Sequence, residues 1–73
     1  MSKNKDPAVL FYKNKLREVR EKSGLTQRQT ADAVGVLYTS YQRYEYGSVV
    51  PNVNIAIKIA KLFNVTVEYL FVC

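Results

Sequence analysis

An all-α domain of five short helices joined by tight turns is the fold class this sequence predicts, and three observations carry that expectation. Apolar residues recur at helical spacing along most of the chain. Residues that stop or redirect helices fall between those segments at Gly24, Gly35, Gly47, Pro51 and Asn64. No alternating strand pattern of useful length is present, although Tyr69 to Cys73 can pass for a short strand.

Met1 to Lys5 is polar and basic and reads as a mobile arm, so residues 1–6 are set apart from a domain spanning 7–73. Asp6-Pro7 has the form of a helix start, with Asp6 as N-cap and Pro7 in the first helical position. Val9, Tyr12, Leu16 and Val19 then form one apolar stripe, and Ser23-Gly24 ends the first helix. Thr26 opens the second, forming a capping box with Gln29, and Gly35 closes it after Thr30, Ala31, Ala33 and Val34. Ala31 permits close approach of another helix, and Gly35 permits a tight turn with positive φ.

The third helix is expected over about 37–46, ending at Gly47, with Leu37 a poor N-cap. Asn52 caps a fourth helix that reaches Phe63. Val53, Ala56, Ile57, Ile59, Ala60 and Phe63 make it apolar round much of its circumference, as expected for the buried centre of the domain. Asn64 stops it and Thr66 caps a short fifth helix. Leu70-Phe71-Val72 then either seals the core or forms a dimer surface.

Composition narrows the function. A chain of 73 residues buries only about 60% of its unfolded surface, which leaves no room for a deep active site. The net charge is +5, and all of the excess lies in residues 1–43, while 44–73 are balanced. A one-sided basic field suits a polyanion such as nucleic acid or an anionic membrane surface. Histidine is absent, and the single cysteine, Cys73, is the last residue, so neither an internal disulfide nor a metal site is expected. The acids are too scattered to suggest a carboxylate pair, so no enzyme, cofactor or small-molecule ligand is expected. With neither an apolar run of about 18 residues nor a signal peptide, a cytoplasmic protein is expected.

Val34-Gly35-Val36 joins two short helices, the local form of a helix-turn-helix. At about 100° per residue, Tyr38, Gln42, Tyr46, Thr39 and Arg43 share an arc of about 140°. Leu37, Ser40, Tyr41 and Tyr44 fall on the packing side, with Tyr41 and Tyr44 as core residues. The first group has the chemistry that base edges require. Arginine donates twice to guanine, glutamine pairs with adenine, and threonine or tyrosine touches a thymine methyl or a phosphate.

The segment Leu16 to Phe71 resembles the phage-repressor and Cro-like (XRE-type) helix-turn-helix family, a lambda-repressor-like DNA-binding domain. The resemblance rests on "LREVREKSGLTQRQTADAVGV", "YQRYEYGSVVPN" and "AIKIAKLFNVTVEYLF" in that order. It implies that Gln27 contacts DNA backbone at the start of the second helix, with Arg28 beside it in the same set. Tyr38, Thr39, Gln42 and Arg43 match groove-facing positions, and Tyr46 and Ser48 match the loop that approaches the backbone. Arg20 and Glu45 match a structural ion pair. Thr30 and Leu37 depart from the family, standing where an apolar residue and a small capping residue are usual.

The expectation is therefore a repressor-like regulator of transcription that binds double-stranded DNA as a homodimer on an inverted repeat. A protein-interaction module or an antitoxin-type partner with the same fold is the alternative. The plainer readings are that Tyr38 and Tyr46 are ordinary surface tyrosines, and that Lys13, Lys15 and Arg17 form a solvated helix face.

Overall fold

A computed structural model describes residues 14–71 of the chain. It contains α1 (Leu16–Ser23), α2 (Gln27–Val34), α3 (Tyr38–Tyr46), α4 (Val53–Phe63) and α5 (Val67–Phe71), with no strand among the described residues. The all-α, five-helix architecture is thus the observed one. The arm at residues 1–6, the Asp6-Pro7 start, Val72 and Cys73 lie outside the described residues.

Local chemistry explains most of the boundaries. The Thr26 hydroxyl accepts from the Gln29 N–H, and the Gln29 side chain accepts from the Thr26 N–H, a complete capping box. Asn52 accepts from Ile55 N–H at the start of α4, and Thr66 accepts from Tyr69 N–H at the start of α5. The left-handed Gly35 (φ 78°) closes α2, its N–H donating to Ala31 and Asp32 carbonyls. A side chain at that φ is strained, so the two-residue link Val36-Leu37 to α3 depends on glycine there.

The start of α1 corrects the expectation of one uninterrupted helix from Pro7 to Ser23, since Asn14 and Lys15 are not helical. Among the described residues helical structure begins at Leu16, and Lys15 just before it takes φ −111°, ψ 20°. Asn14 explains the break: its Oδ1 accepts from Leu16 N–H at 3.0 Å while its Nδ2 donates to the Tyr44 carbonyl at 2.9 Å. Lys15 N–H donates to the Leu70 carbonyl at 2.9 Å. The Lys15 N–H is thus engaged with α5 and the Leu16 N–H with the Asn14 side chain, which in turn is tied to α3.

The core is built where α2 packs on α3 and α4, α1 reaches α3 and α4, and α5 closes on α4. Leu16, Val19, Ala31, Val34, Tyr41, Ile59, Ala60, Phe63 and Leu70 form it. Leu70 is fully buried, and Phe71 packs half-buried against the core. Thr30 is fully buried as well, its hydroxyl donating to the Thr26 carbonyl one turn back. The fourth helix is not buried all round: Ala56, Ile59, Ala60 and Phe63 face the core while Val53, Ile57 and Leu62 are exposed. In a domain this thin, a central helix has neighbours on one side only.

Candidate nucleic-acid interface

The third helix divides into the two sides expected from its spacing, with one exception. Tyr41 is fully buried, and its ring meets that of half-buried Tyr44 edge-on at 6.4 Å between centroids. Thr39, Arg43 and Tyr46 are exposed, and Tyr38 and Gln42 are half-buried. Leu37 is the correction. Placed on the packing side by helical spacing, it is 73% exposed because it precedes the helix with extended φ/ψ, where the 100° rule does not apply. It also makes no side-chain capping bond, so α3 begins without the hydroxyl or amide acceptor that starts α2 and α4.

A sealed polar cluster fixes α3 against α1 and α2. Arg20 Nε donates to Glu45 Oε2 at 2.5 Å, Arg20 Nη1 donates to the Leu25 carbonyl at 2.9 Å, and Gln27 Nε2 donates to Glu45 Oε1 at 3.0 Å. The two charged side chains are 12% and 5% exposed, so water does little to screen them. The hydrogen bond to Glu45 holds the Arg20 guanidinium above its ordinary pKa against the opposing effect of burial. This neutralises an acid on a helix whose outer surface is otherwise uncharged or cationic. The neighbouring Tyr41 hydroxyl is buried without a hydrogen-bond partner among the described residues. Burial, reinforced by the Glu45 charge, pushes its phenol well above the usual range.

Two open depressions flank this cluster. One of about 510 Å³ is bordered by Arg17, Arg20, Thr26, Gln27, Arg28 and Tyr38, among others. The second, about 380 Å³, is bordered by Arg17, Gln27, Gln42, Glu45 and Tyr46. Both open where α2 begins, and the first-turn N–H groups of Gln27 and Arg28 have no intrahelical partner there. Thr39 and Arg43 lie on the outer surface of α3, and Ser48 is exposed in the loop after it, its N–H donating to the Arg43 carbonyl at 3.2 Å.

Three features escaped sequence reasoning. Gln27 is tied to Glu45, Arg28 lies over the Tyr38 ring at 4.4 Å, and Arg17 borders both depressions. The first two are contacts between helices, which no local pattern announces. Arg17 carries an exposed ion pair with Glu21 at 3.4 Å, the ordinary behaviour of a solvated helix face. Lys15 lies 4.4 Å over the Tyr69 ring. Among the described residues no cluster of potential metal ligands forms, and no helix is long and apolar enough to cross a membrane.

A short helix, a glycine turn and a second helix with one uncovered polar side define a helix-turn-helix module. The helix-turn-helix family model matches residues 16–70, and the chain belongs to that family. An HTH-type transcriptional regulator of Archaeoglobus fulgidus is 38% identical over 60 residues, covering 82% of this chain and 86% of the relative. The cryptic phage CTXphi transcriptional repressor RstR of Vibrio cholerae is 34% identical over 58 residues, covering 80% of this chain and 52% of the repressor. Among solved structures, the P22 c2 repressor in complex with a synthetic operator matches with a TM-score of 0.76 at 22% identity. That match covers 80% of this chain and 88% of the other, and it speaks for the fold.

Proposed function

We propose that this chain is a sequence-specific regulator of transcription, repressor-like, that lays α3 in the major groove of double-stranded DNA. The observation that carries this reading is the division of α3: Thr39, Gln42 and Arg43 share its outward side while Tyr41 anchors the helix from behind. Arg43 then pairs with guanine, Gln42 with adenine, and Thr39 meets a thymine methyl. Gln27 brings the positive end of α2 to the flanking phosphates, with Arg28 beside it in the DNA-binding set and Tyr46 and Ser48 approaching the backbone on the other side. The domain proper covers 7–73 behind a basic arm at 1–6, and it works in the cytoplasm.

The protein acts as a homodimer on an inverted repeat, with half-sites about 34 Å apart on one face of the duplex. Exposed Val49, Val50, Val53 and Ile57, in and after the loop that follows α3, supply an apolar surface for the second copy.

The test is binding to mixed-sequence and selected DNA at two salt concentrations, with Arg43→Ala alongside. Affinity should fall steeply as salt rises. Arg43→Ala should cost about 1–3 kcal/mol on the selected site and relax preference at one position. Absence of DNA binding even at low salt rejects the reading in favour of a protein-binding module, for which exposed Leu37 and Tyr46 would be the anchors.

A further inference from the structure

Arg28 lies in the first turn of α2 and Tyr38 is the first residue of α3, so the fold sets the starts of two helices side by side. The guanidinium carbon of Arg28 is 4.4 Å from the centroid of the Tyr38 ring. The neighbouring arginines are already engaged: Arg20 with Glu45 and the Leu25 carbonyl, Arg17 with Glu21. Among the described residues no carboxylate pairs with Arg28. We infer that Arg28 and Tyr38 form one specificity-determining element, in which the ring positions the guanidinium to read a guanine at the base pair facing the start of α3. This deepens the DNA-binding reading above and rests on it.

The chemistry favours a base edge. A guanidinium over an aromatic face keeps the N–H groups of its own rim available, and that fork matches the O6 and N7 acceptors of guanine. The ring shares the outward side of α3 with Gln42, so a cation resting on it belongs to the surface that meets base pairs. Gln27, by contrast, is drawn down towards Glu45 and leaves that space to Arg28. Holding a long side chain in place before DNA arrives removes an ordering cost from binding. Tyr38 is therefore a positioning residue, and the attraction it supplies corresponds to roughly a threefold to tenfold effect.

The pair is tested with Arg28→Ala, Tyr38→Phe, Tyr38→Leu and the Arg28→Ala/Tyr38→Leu double variant. Each is titrated on the selected site and on sites with single base changes, with thermal unfolding confirming the fold. Wild type and Tyr38→Phe should prefer guanine at one shared position by roughly tenfold. Arg28→Ala should lose that preference, Tyr38→Leu should lose most of it, and the double variant should lose no more than Arg28→Ala. Additive losses, an unchanged preference in Tyr38→Leu, or equal weakening of Arg28→Ala on every sequence would each overturn the inference, the last by making Arg28 a phosphate contact. The stack is read without DNA from the ring-current shift of the Arg28 δ protons, which should persist in Tyr38→Phe and vanish in Tyr38→Leu. No such shift in the wild type refutes the stack. A shift with no salt-sensitive DNA binding refutes the proposed function and the guanine contact with it. Additive losses in a wild type that binds DNA refute the coupling alone.

Discussion

The outer sides of α3 and α4 are both uncovered, yet α4 exposes large aliphatic side chains among its polar groups and α3 itself does not. The outward side of α3 carries hydroxyl, amide and guanidinium groups on Thr39, Gln42 and Arg43, while its one acid, Glu45, is turned in and held by Arg20 and Gln27. The exposed residues of α4 include Val53 and Ile57 alongside Asn54, Lys58 and Lys61, and Val49 and Val50 are exposed in the loop before it. A small domain has too little core to hide both helices, so what it leaves outside is informative. Polar groups on a helix that is rigidly backed suit a patterned hydrogen-bonding partner, and exposed aliphatic side chains such as Val53 and Ile57 suit a protein surface.

The sharpest way to break this contrast is to release α3 from its backing. Glu45→Ala removes the acceptor for Arg20 and Gln27 and strands a mostly buried guanidinium, so urea denaturation should show a loss of about 3–5 kcal/mol. A loss under about 1 kcal/mol would mean that the cluster does not hold the helix. On the other side, if the proposed homodimer uses this surface, Val53→Glu should leave a monomer in sedimentation. Because Val53 is 72% exposed, folding stability should stay within about 0.5 kcal/mol. An unchanged dimer would place the second copy elsewhere.

Two smaller effects refine the account of α3. Leu37→Ser should gain about 1 kcal/mol by providing the missing cap at the start of the helix. A neutral result would show that exposed Leu37 already stabilises the turn by packing. Tyr41→Phe should be neutral or slightly stabilising, since it deletes a buried hydroxyl with no hydrogen-bond partner among the described residues. The same residue sets an alkaline limit. Its folded pKa is raised above an unfolded value of about 10, so its contribution is intact below that pH and is lost as pH rises beyond it. The decline in stability above pH of about 10 should be shallower in Tyr41→Phe.

Much of the fold was legible because its boundaries are written within a single turn. Thr26 with Gln29, Asn52, Thr66, and the left-handed Gly24, Gly35, Gly47 and Asn64 each act on backbone groups a few residues away. What sequence did not disclose depends on partners far along the chain. Asn14 ends the reach of α1 through a carbonyl thirty residues distant, Tyr44. Arg28 finds Tyr38 only after Gly35 has folded α3 back beside α2. Val53 and Ile57 are exposed on a helix whose pattern suggests burial, because helical spacing tells which residues share a side, but not which sides the rest of the chain will cover.

Selection of binding sites from random duplex DNA, run in parallel on the wild type and on a Thr39→Ala/Gln42→Ala/Arg43→Ala variant, tests the central claim most directly. The wild type should enrich a two-fold symmetric sequence whose half-site centres lie about one helical turn apart. The triple variant should remain folded and keep weak, salt-sensitive affinity while enriching no sequence. Recovery of the same motif by both proteins would contradict the account, because the recognition surface would then lie off α3.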